Sequence, residues 1–230
     1  MKHLLGILLI SVAISVKAQE SGSGILRISG SLGIGMYLQS DLRDLNENLK
    51  NQLPFNVKLV SNFPPRPFYG LGVMIKVGKN IAIGPDYQFH STGSRLGLRD
   101  YSGAYTFDQI ISAHSVGLCS EFLVSRYTHS ALGLMPKAGA EFATWKISEK
   151  YQIGETETNT VYRCKGTNYF IEPAIEYKWM VIPHLSISII PGFHVDLGSH
   201  YYLNGNKKVE AKQKPRWIGP RLSMQINYLP

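Results

Sequence analysis

Hydrophobic and polar residues alternate with period two along most of the chain after residue 18. Between Leu26 and Leu38, apolar residues occupy almost all even positions, and Gly, Ser, Arg or Tyr occupy the odd ones. Such alternation predicts β-strands that each present one apolar face. Eight segments of this kind cover approximately residues 25–38, 68–78, 81–90, 107–125, 132–142, 169–179, 185–196 and 218–228.

These segments are long enough to cross a membrane as strands, which takes ~9–11 residues. No stretch after residue 18 approaches the ~20 apolar residues that a spanning helix needs. An even number of strands with one apolar face and one small or polar face is typical of outer-membrane barrels. The pattern therefore predicts an all-β fold: an eight-stranded antiparallel up-and-down transmembrane β-barrel, of OmpA/OmpX-like size, with residues 19–230 as one domain.

Short and long connections alternate between the predicted strands. Segments two and three, four and five, and six and seven are joined by short turns near residues 78–80, 126–129 and 181–183. The other four connections are long, at about residues 39–66, 91–106, 148–165 and 198–215. Membrane barrels have short periplasmic turns and longer extracellular loops. We therefore predict four longer extracellular loops, with both termini in the periplasm.

A soluble barrel that binds an apolar ligand is the alternative fold, because such barrels also contain alternating strands. A soluble barrel has apolar side chains inside and polar ones outside. Here the polar face is rich in small residues, as in Gly33-Ile34-Gly35 and Gly70-Leu71-Gly72. Small residues suit the interior of a narrow barrel, which favours the membrane fold.

Proline residues occur within five of the predicted strands, all on the apolar face. Proline removes one backbone donor and is usually confined to edges or bulges, and a closed barrel has no edge. We therefore predict bulges or kinks at Pro85, Pro136, Pro173, Pro191 and Pro220.

Charged residues on the inward face are balanced in number. The predicted cations are Arg27, Lys76, Lys137, Lys178 and Arg221. The predicted anions are Asp86, Glu121, Glu141, Glu172 and Glu176. Charges in a narrow lumen must be paired or hydrogen-bonded, so we expect a structural ion network that fills the barrel. We expect Arg221 to lie among Glu172, Glu141 and Glu121; a small pore or proton path is the alternative use of these groups.

Two long loops carry candidate binding features. The first has Leu42, Leu45 and Leu49 at helical spacing after a possible Ser40 or Asp41 cap, so a short amphipathic helix packs there or docks a partner. The last carries five cations that could contact lipopolysaccharide phosphates through charge-assisted hydrogen bonds. These cations are Lys207, Lys208, Lys212, Lys214 and Arg216. The partners we expect are outer-membrane lipid, lipopolysaccharide and proteins that contact the loops or periplasmic turns. We do not expect nucleic acid as a partner, and we expect the protein to be a monomer.

The first residues predict export. A basic start and an apolar run from Leu4 to Val16 precede Val16-Lys17-Ala18, as in a signal peptide cleaved after Ala18. Loss of Lys2 and Lys17 lowers the formal charge from +8 to +6. Residues 1–18 are thus predicted to be a signal peptide, and the outer membrane of a Gram-negative bacterium is the predicted location.

Composition and residue spacing give little sign of catalysis. Two Cys residues cannot build a disulfide scaffold or a Cys₄ zinc site, and the His residues show no ligand spacing. His194, Asp196, Ser199 and His200 cluster where strand seven leaves the membrane, but no nucleophile-elbow pattern surrounds Ser199. We expect no enzyme activity, no cofactor and no metal, with a lipid-modifying enzyme as the alternative.

Several motifs resemble those of a known family. They are Val16-Lys17-Ala18-Gln19, Ile83 to Phe89, Ile171 to Tyr177, and Trp217 to Leu222. On these the chain resembles the PorT-like outer-membrane β-barrel family of Bacteroidota. The resemblance implies an integral outer-membrane protein without a known catalytic site. From the residues themselves we expect a protein that is structural or binds partners through its extracellular loops. An accessory role in a protein secretion assembly is a further alternative that the resemblance implies.

Overall fold

The computed structural model of the protein describes residues 26–101, 103–203 and 211–230. These ranges contain eleven β-strands and one α-helix. In chain order they are β1 (Leu26–Gly35), α1 (Ser40–Gln52), β2 (Lys58–Asn62), β3 (Arg66–Lys76), β4 (Ile81–Arg99), β5 (Gly103–Arg126), β6 (Ser130–Leu134), β7 (Lys137–Ile153), β8 (Thr156–Glu172), β9 (Ile175–Ile182), β10 (Leu185–Leu203) and β11 (Gly219–Tyr228). No helix within these ranges is long and apolar enough to cross a membrane. The predicted signal peptide lies outside the described residues.

The strands form one closed antiparallel ring. β1 pairs with β3 on one side and with β11 on the other. Leu134 of β6 pairs with Ile175 of β9, and Lys137 of β7 pairs with Glu172 of β8, in one continuous register. β6 with β7, and β8 with β9, therefore each act as one barrel strand, and the ring has eight strands. The predicted eight-stranded antiparallel barrel is confirmed; β2 lies outside the ring and pairs with β4.

Side chains alternate strictly between the inside and the outside of the ring. On β1, Arg27 and Ser29 are buried, while Leu32 and Ile34 are about 60% exposed. β11 alternates without exception over its ten residues. Because successive side chains of a strand point to opposite faces, this alternation puts polar groups inside and large apolar groups outside. The predicted polarity is thus the observed one.

For two of the four long connections, the prediction of a loop is wrong. Residues 91–106 and 148–165 are largely strand, because β4 and β5 pair up to Arg99 and Ala104, and β7 and β8 pair up to Ile153 and Thr156. The remaining turn after β4 is closed by a hydrogen bond from the Asp100 amide to the Gly103 carbonyl, at 3.0 Å. Backbone pairing thus continues beyond the point where the outer face ceases to be apolar. The other two connections contain α1 with β2, and residues 204–218 with the end of β10.

The five in-strand prolines do not produce the predicted bulges. Register shifts in the described ladders occur elsewhere, for example between Asp196 and Ser199. Proline lacks the amide donor but keeps its carbonyl, and these carbonyls still accept cross-strand bonds. The Ser120, Phe193 and Met36 amides donate to the Pro136, Pro173 and Pro220 carbonyls at 3.0, 3.0 and 3.1 Å. Each ladder therefore keeps its register, although strand geometry is interrupted at Pro136 and Pro173.

Glycine is required where β3 and β4 approach most closely. A Cβ added to Gly84 would lie 1.8 Å from the Val73 carbonyl oxygen and 2.8 Å from the Met74 Cα. These are backbone atoms, so no side-chain rotation relieves the clash. On the outer face of β1, by contrast, a Cβ at Gly30 would meet only the Leu71 Cδ2, at 3.9 Å.

Replacing Gly84 by alanine is expected to lower the free energy of unfolding by ~1–3 kcal/mol, because overpacking forces the two backbones apart. Gly30→Ala is the matched control and should be neutral or slightly stabilising, since glycine weakens a strand interior. Urea titration of the folded barrel in lipid vesicles, followed by tryptophan fluorescence, measures both. Equal effects of the two changes would contradict the close approach at Gly84.

Candidate functional site

Four charged residues form a cluster inside the barrel near the short-turn end; we call it the lower ion cluster. It consists of Arg27 on β1, Glu121 on β5, and Glu176 and Lys178 on β9. The Arg27 Nη1 lies 2.6 Å from the Glu121 Oε2, and the Lys178 Nζ lies 3.3 Å from the Glu176 Oε2. Lys178 also pairs with Glu121. The Ser188 hydroxyl donates to Glu176 at 2.6 Å, so both carboxylates are compensated by two cations and a hydroxyl.

A single ion pair occupies the middle of the lumen. The Lys137 Nζ on β7 lies 3.3 Å from the Asp86 Oδ1 on β4. The Gln88 side-chain amide donates to the same oxygen at 3.0 Å. Lys76 lies on the inward face of β3, at its last residue and towards the short-turn end. The sequence-predicted inward residues thus all occupy the interior face.

Arg221 anchors a second group further up the barrel; this upper ion cluster consists of Arg221, Glu172, His194, Glu141 and His90. The Arg221 Nη1 donates to the Glu172 Oε2 at 2.8 Å and to the Gln88 Oε1 at 2.7 Å. Its guanidinium also lies over the rings of Tyr37 and Phe68, 5.2 and 5.1 Å from their centroids. A buried cation held by an anion, an amide and two ring faces is well compensated.

Two histidines continue this cluster across the lumen. The His194 Nδ1 lies 3.0 Å from the Glu172 Oε2, and its Nε2 lies 3.4 Å from the Glu141 Oε2. The His90 Nε2 lies 3.1 Å from the same Glu141 oxygen. Both histidine side chains are fully buried. The result is a continuous polar chain from Arg221 through Glu172, His194 and Glu141 to His90.

The three carboxylates that were predicted to surround Arg221 belong to two different clusters. Glu172 contacts Arg221 directly, and Glu141 belongs to the same cluster through His194. Glu121 instead pairs with Arg27 and Lys178 in the lower ion cluster. Sequence reasoning did not include either histidine in the network. Their inward strand parity was the available signal, since His90 follows Asp86 and Gln88 at period two.

His194 lies inside the barrel and not at the rim, where the sequence suggested a catalytic set. Its ring is buried among Phe170, Glu172 and Glu141, with the Phe170 ring stacked at a centroid distance of 4.9 Å. Asp196 accepts from the Gly198 amide at 2.9 Å in the bulge that follows. Both His194 ring nitrogens lie within 3.4 Å of carboxylate oxygens in the lumen, so His194 is not placed to act on a substrate at the rim.

The helix α1 closes the other end of the interior. The predicted amphipathic helix is present, and it packs on the barrel mouth through Leu42 and Asn46, both buried. The Gln109 side chain donates to the Asn46 Oδ1 at 2.7 Å and accepts from the Trp145 indole at 3.1 Å. Neither Ser40 nor Asp41 caps the helix; the cap position is Gln39, without a side-chain cap bond. The helix thus closes the barrel above the upper ion cluster through one apolar contact, at Leu42, and one polar contact, at Asn46.

An aromatic layer fills the space between this helix and the ions. It includes Tyr37, Phe63, Trp145, Tyr201 and Trp217, all nearly inaccessible to solvent. Trp217 packs edge-on against both Tyr37 and His90, with ring centroids 4.7 and 4.3 Å apart. Ions, aromatic rings and helix therefore follow one another from the short-turn end to the mouth.

The extended hairpins form a small cleft beyond the mouth. It has a volume of about 210 Å³ and is lined by residues that include Phe55, Leu98, Tyr105 and Tyr151. The Tyr105 hydroxyl donates to the Glu149 Oε1 at 3.0 Å. Burial, together with this carboxylate, raises the pKa of Tyr105 above its ordinary value. The phenol therefore acts there as a neutral donor.

The cations predicted in the last loop are described only in part. Lys212 and Arg216 are exposed, and Lys214 is half-buried; Lys207 and Lys208 lie outside the described residues. Arg216 lies next to α1: its Nε is 3.9 Å from the Asp41 Oδ2, and its amide donates to the Gln39 Oε1 at 3.1 Å. This segment therefore borders the helix that closes the mouth.

Within the described residues, no group of three or more His, Cys, Asp or Glu side chains has a geometry suited to a metal ion. Cys119 and Cys164 are buried and unbridged.

Solved structures similar to this chain are outer-membrane β-barrel proteins. Ail, the attachment invasion locus protein of Yersinia pestis, is 14% identical over 90% of this chain and 99% of its own, with a TM-score of 0.41. A major outer membrane protein of Thermus thermophilus is 11% identical over 88% and 98% of the two chains, with a TM-score of 0.48. The outer membrane protease OmpT of Escherichia coli is 10% identical over 93% and 99%, with a TM-score of 0.42. No protein-family model and no curated protein matches the chain.

Replacing Arg221 by methionine is expected to lower the free energy of unfolding by ~3–5 kcal/mol, because Glu172 then stays buried without its cation. The double variant Arg221→Met, Glu172→Leu should cost less than the sum of the two single changes, because neither charge is left alone.

Arg216→Met, at the exposed mouth, is the control and should change the stability by less than ~0.5 kcal/mol. Urea unfolding in lipid vesicles measures all four variants. An Arg221→Met cost as small as that of Arg216→Met would show that the buried pair contributes little.

Proposed function

We propose that this chain is an integral outer-membrane β-barrel protein with a filled lumen, which acts through contacts made by its extracellular face. The observation that carries this proposal is the polarity of the closed ring: charged groups inside and a continuous apolar surface outside. A water-soluble barrel has the opposite polarity. The observed fold class is consistent with a membrane barrel, because a closed ring leaves no unpaired strand edge in lipid.

The outer apolar surface forms a belt with aromatic residues towards both borders. Leu71, Val116, Leu118, Ile189 and Met224 lie within it, each at least half exposed. Tyr69, Phe142 and Tyr169 lie towards the mouth, whereas Phe122, Trp179 and Tyr228 lie towards the short turns. Beyond the upper aromatics the same faces become polar or charged. Such aromatic girdles flank the apolar band of outer-membrane barrels.

The connections support one orientation in the membrane. Short turns follow β3, β5 and β9, at the same end as Leu26 and the last residues of β11. The long β4–β5 and β7–β8 hairpins, α1 and the last loop all lie at the opposite end. We infer that the short-turn end faces the periplasm, as in other outer-membrane barrels, and that both termini lie there.

The filled interior supports a role other than conduction. Both ion clusters, the aromatic layer and α1 occupy successive levels of the lumen. Eight-stranded barrels have an interior that side chains can fill. The protein then serves as a rigid support whose extended hairpins and mouth present binding surfaces.

Contacts with lipopolysaccharide are part of this proposal. Lys212 and Arg216 are exposed beside the mouth, and Lys207, Lys208 and Lys214 belong to the same basic segment. Phosphate groups accept strong charge-assisted hydrogen bonds from such residues.

The resemblance to the PorT-like barrels of Bacteroidota supports the same membrane assignment. Burial of His194 between two carboxylates favours a non-enzymatic role. The imidazole is then not available for a catalytic group with Asp196 and Ser199 at the rim.

Gel mobility and conductance test the proposal directly. Protein recovered from membranes should run differently in SDS before and after boiling, because a folded membrane barrel resists SDS when cold. In planar bilayers it should give no steady open-channel current. Recovery as a soluble protein without a heat-dependent shift would favour the soluble barrel, and a steady ohmic current would contradict a filled lumen.

A charge placed in the belt tests which surface meets lipid. Leu118→Arg should lower the unfolding free energy in vesicles by ~2–4 kcal/mol, the cost of arginine near the bilayer midplane. Val161→Arg is the matched control, because Val161 is also outward-facing and exposed but lies on the β8 extension beyond the belt. It should cost at most ~1 kcal/mol. Equal costs for the two variants would contradict a membrane belt at Leu118.

A further inference from the structure

Three cations lie together on the outer face of β7 and β8, just beyond the apolar belt; we call them the cation triad. They are Lys146, Arg163 and Lys165. Lys146 pairs directly with Arg163 across the two strands, and Lys165 pairs with the adjacent Thr144. All three point outwards, since the alternate residues Trp145 and Cys164 are buried. Directly opposed residues have Cβ atoms ~4.5–5.5 Å apart, so these like charges lie close together.

The triad has no carboxylate to neutralise it among the described residues. The closest acid on the outer face of the neighbouring strand is Asp108, which pairs with Ser148. Its carboxylate is engaged by Arg95 through two hydrogen bonds of 2.6 and 2.8 Å. Glu157 is the next acid along the outer face of β8, about 20 Å from Arg163 along the strand. Like charges opposed in this way are destabilising unless an anion from outside the chain joins them.

The position of the triad fits the level of lipid headgroups. Lys146 lies four residues beyond Phe142 on β7, and Lys165 lies four residues beyond Tyr169 on β8. Four residues of a tilted strand place the charges roughly 10 Å beyond these last belt aromatics. Tyr202 of β10 pairs with Lys165 and adds an amphipathic ring at this level.

The belt below the triad is furrowed. Ala138 and Ala140 form the floor on the outer face of β7, with Phe142 at the upper end. Larger residues of both neighbouring strands pair with them: Leu118 and Ile171 with Ala138, and Val116 and Tyr169 with Ala140. A shallow apolar channel thus runs along the surface below three uncompensated cations.

We propose that the cation triad binds the phosphate of an acylated, phosphorylated glycolipid of the outer leaflet, with one acyl chain lying along the Ala138–Ala140 furrow. The site is separate from the last-loop cations, and the proposal rests on the proposed membrane location. Charge complementarity selects the phosphate, and the furrow selects a lipid rather than a soluble anion. Each cation near an anionic membrane surface contributes about five-fold to binding, so loss of all three should weaken it by up to about a hundred-fold.

The test uses the full mature chain folded into phosphatidylcholine vesicles that contain a small fraction of bisphosphorylated lipid A. Enrichment of lipid A around the protein is measured by native mass spectrometry, against dephosphorylated lipid A and against phosphatidylglycerol. The variant Lys146→Gln, Arg163→Gln, Lys165→Gln should lose the enrichment. The control Lys79→Gln, Arg99→Gln, Arg126→Gln removes the same charge at exposed positions outside β7 and β8 and should keep it.

A second measurement separates binding from folding. In vesicles of phosphatidylcholine alone, the triad variant should unfold at the same or higher urea concentration than the wild type, because like-charge repulsion is removed. Unchanged lipid A enrichment in the triad variant, or equal enrichment of phosphatidylglycerol by the wild type, would overturn the proposal. These outcomes concern the site only if the wild type inserts and resists SDS. Failure to insert would instead contradict the proposed membrane location.

Discussion

Closure of the backbone hydrogen-bond ladder between β1 and β11 is the constraint on which the other features depend. The two strands pair from Ile28 and Tyr228 to Gly35 and Arg221. With the ring closed, every barrel strand has two neighbours, so the outer side chains can be apolar without leaving an unpaired strand edge. The closed register also determines which residues point inwards. A slip of one residue would move Arg221 to the apolar surface and the leucines of the belt into the lumen.

The small circumference of the ring explains the character of its interior. Strands that are not neighbours come close enough for their side chains to meet, as Arg27 of β1 meets Glu121 of β5 and Asp86 of β4 meets Lys137 of β7. Each charge has lost most of its hydration and is compensated by partners on other strands. Interactions of this kind connect strands that are two or three positions apart in the ring and therefore limit the cross-sections that the barrel can adopt. The helix α1 and the aromatic layer complete the filling at the mouth.

The strands and their inward faces could be predicted from the sequence because period two is a local signal, visible within ten residues. Two other properties are not local. Pairing of Glu121 with Arg27 rather than Arg221 depends on the stagger of strands around the whole ring, which no segment encodes alone. The outer faces of the β4–β5 and β7–β8 extensions are no longer apolar, so residues 91–106 and 148–165 have the composition of loops although their backbones pair. His90 and His194 have the correct parity, but their partners Glu141 and Glu172 come from distant strands.

In the proposed orientation, the β4–β5 hairpin extends from the membrane into the space outside the cell. β5 has 24 residues, a contour of about 80 Å at ~3.3 Å per residue, of which a membrane crossing uses ~9–11 residues. The remainder is a paired ladder that holds the turn at Asp100 and Tyr101 away from the membrane as a stiff stalk. Antibodies or phages that recognise this turn would favour cells in which a few residues of the turn have been substituted. Substitutions in the stalk, by contrast, must preserve its strand pairing, so variation should concentrate at the tip.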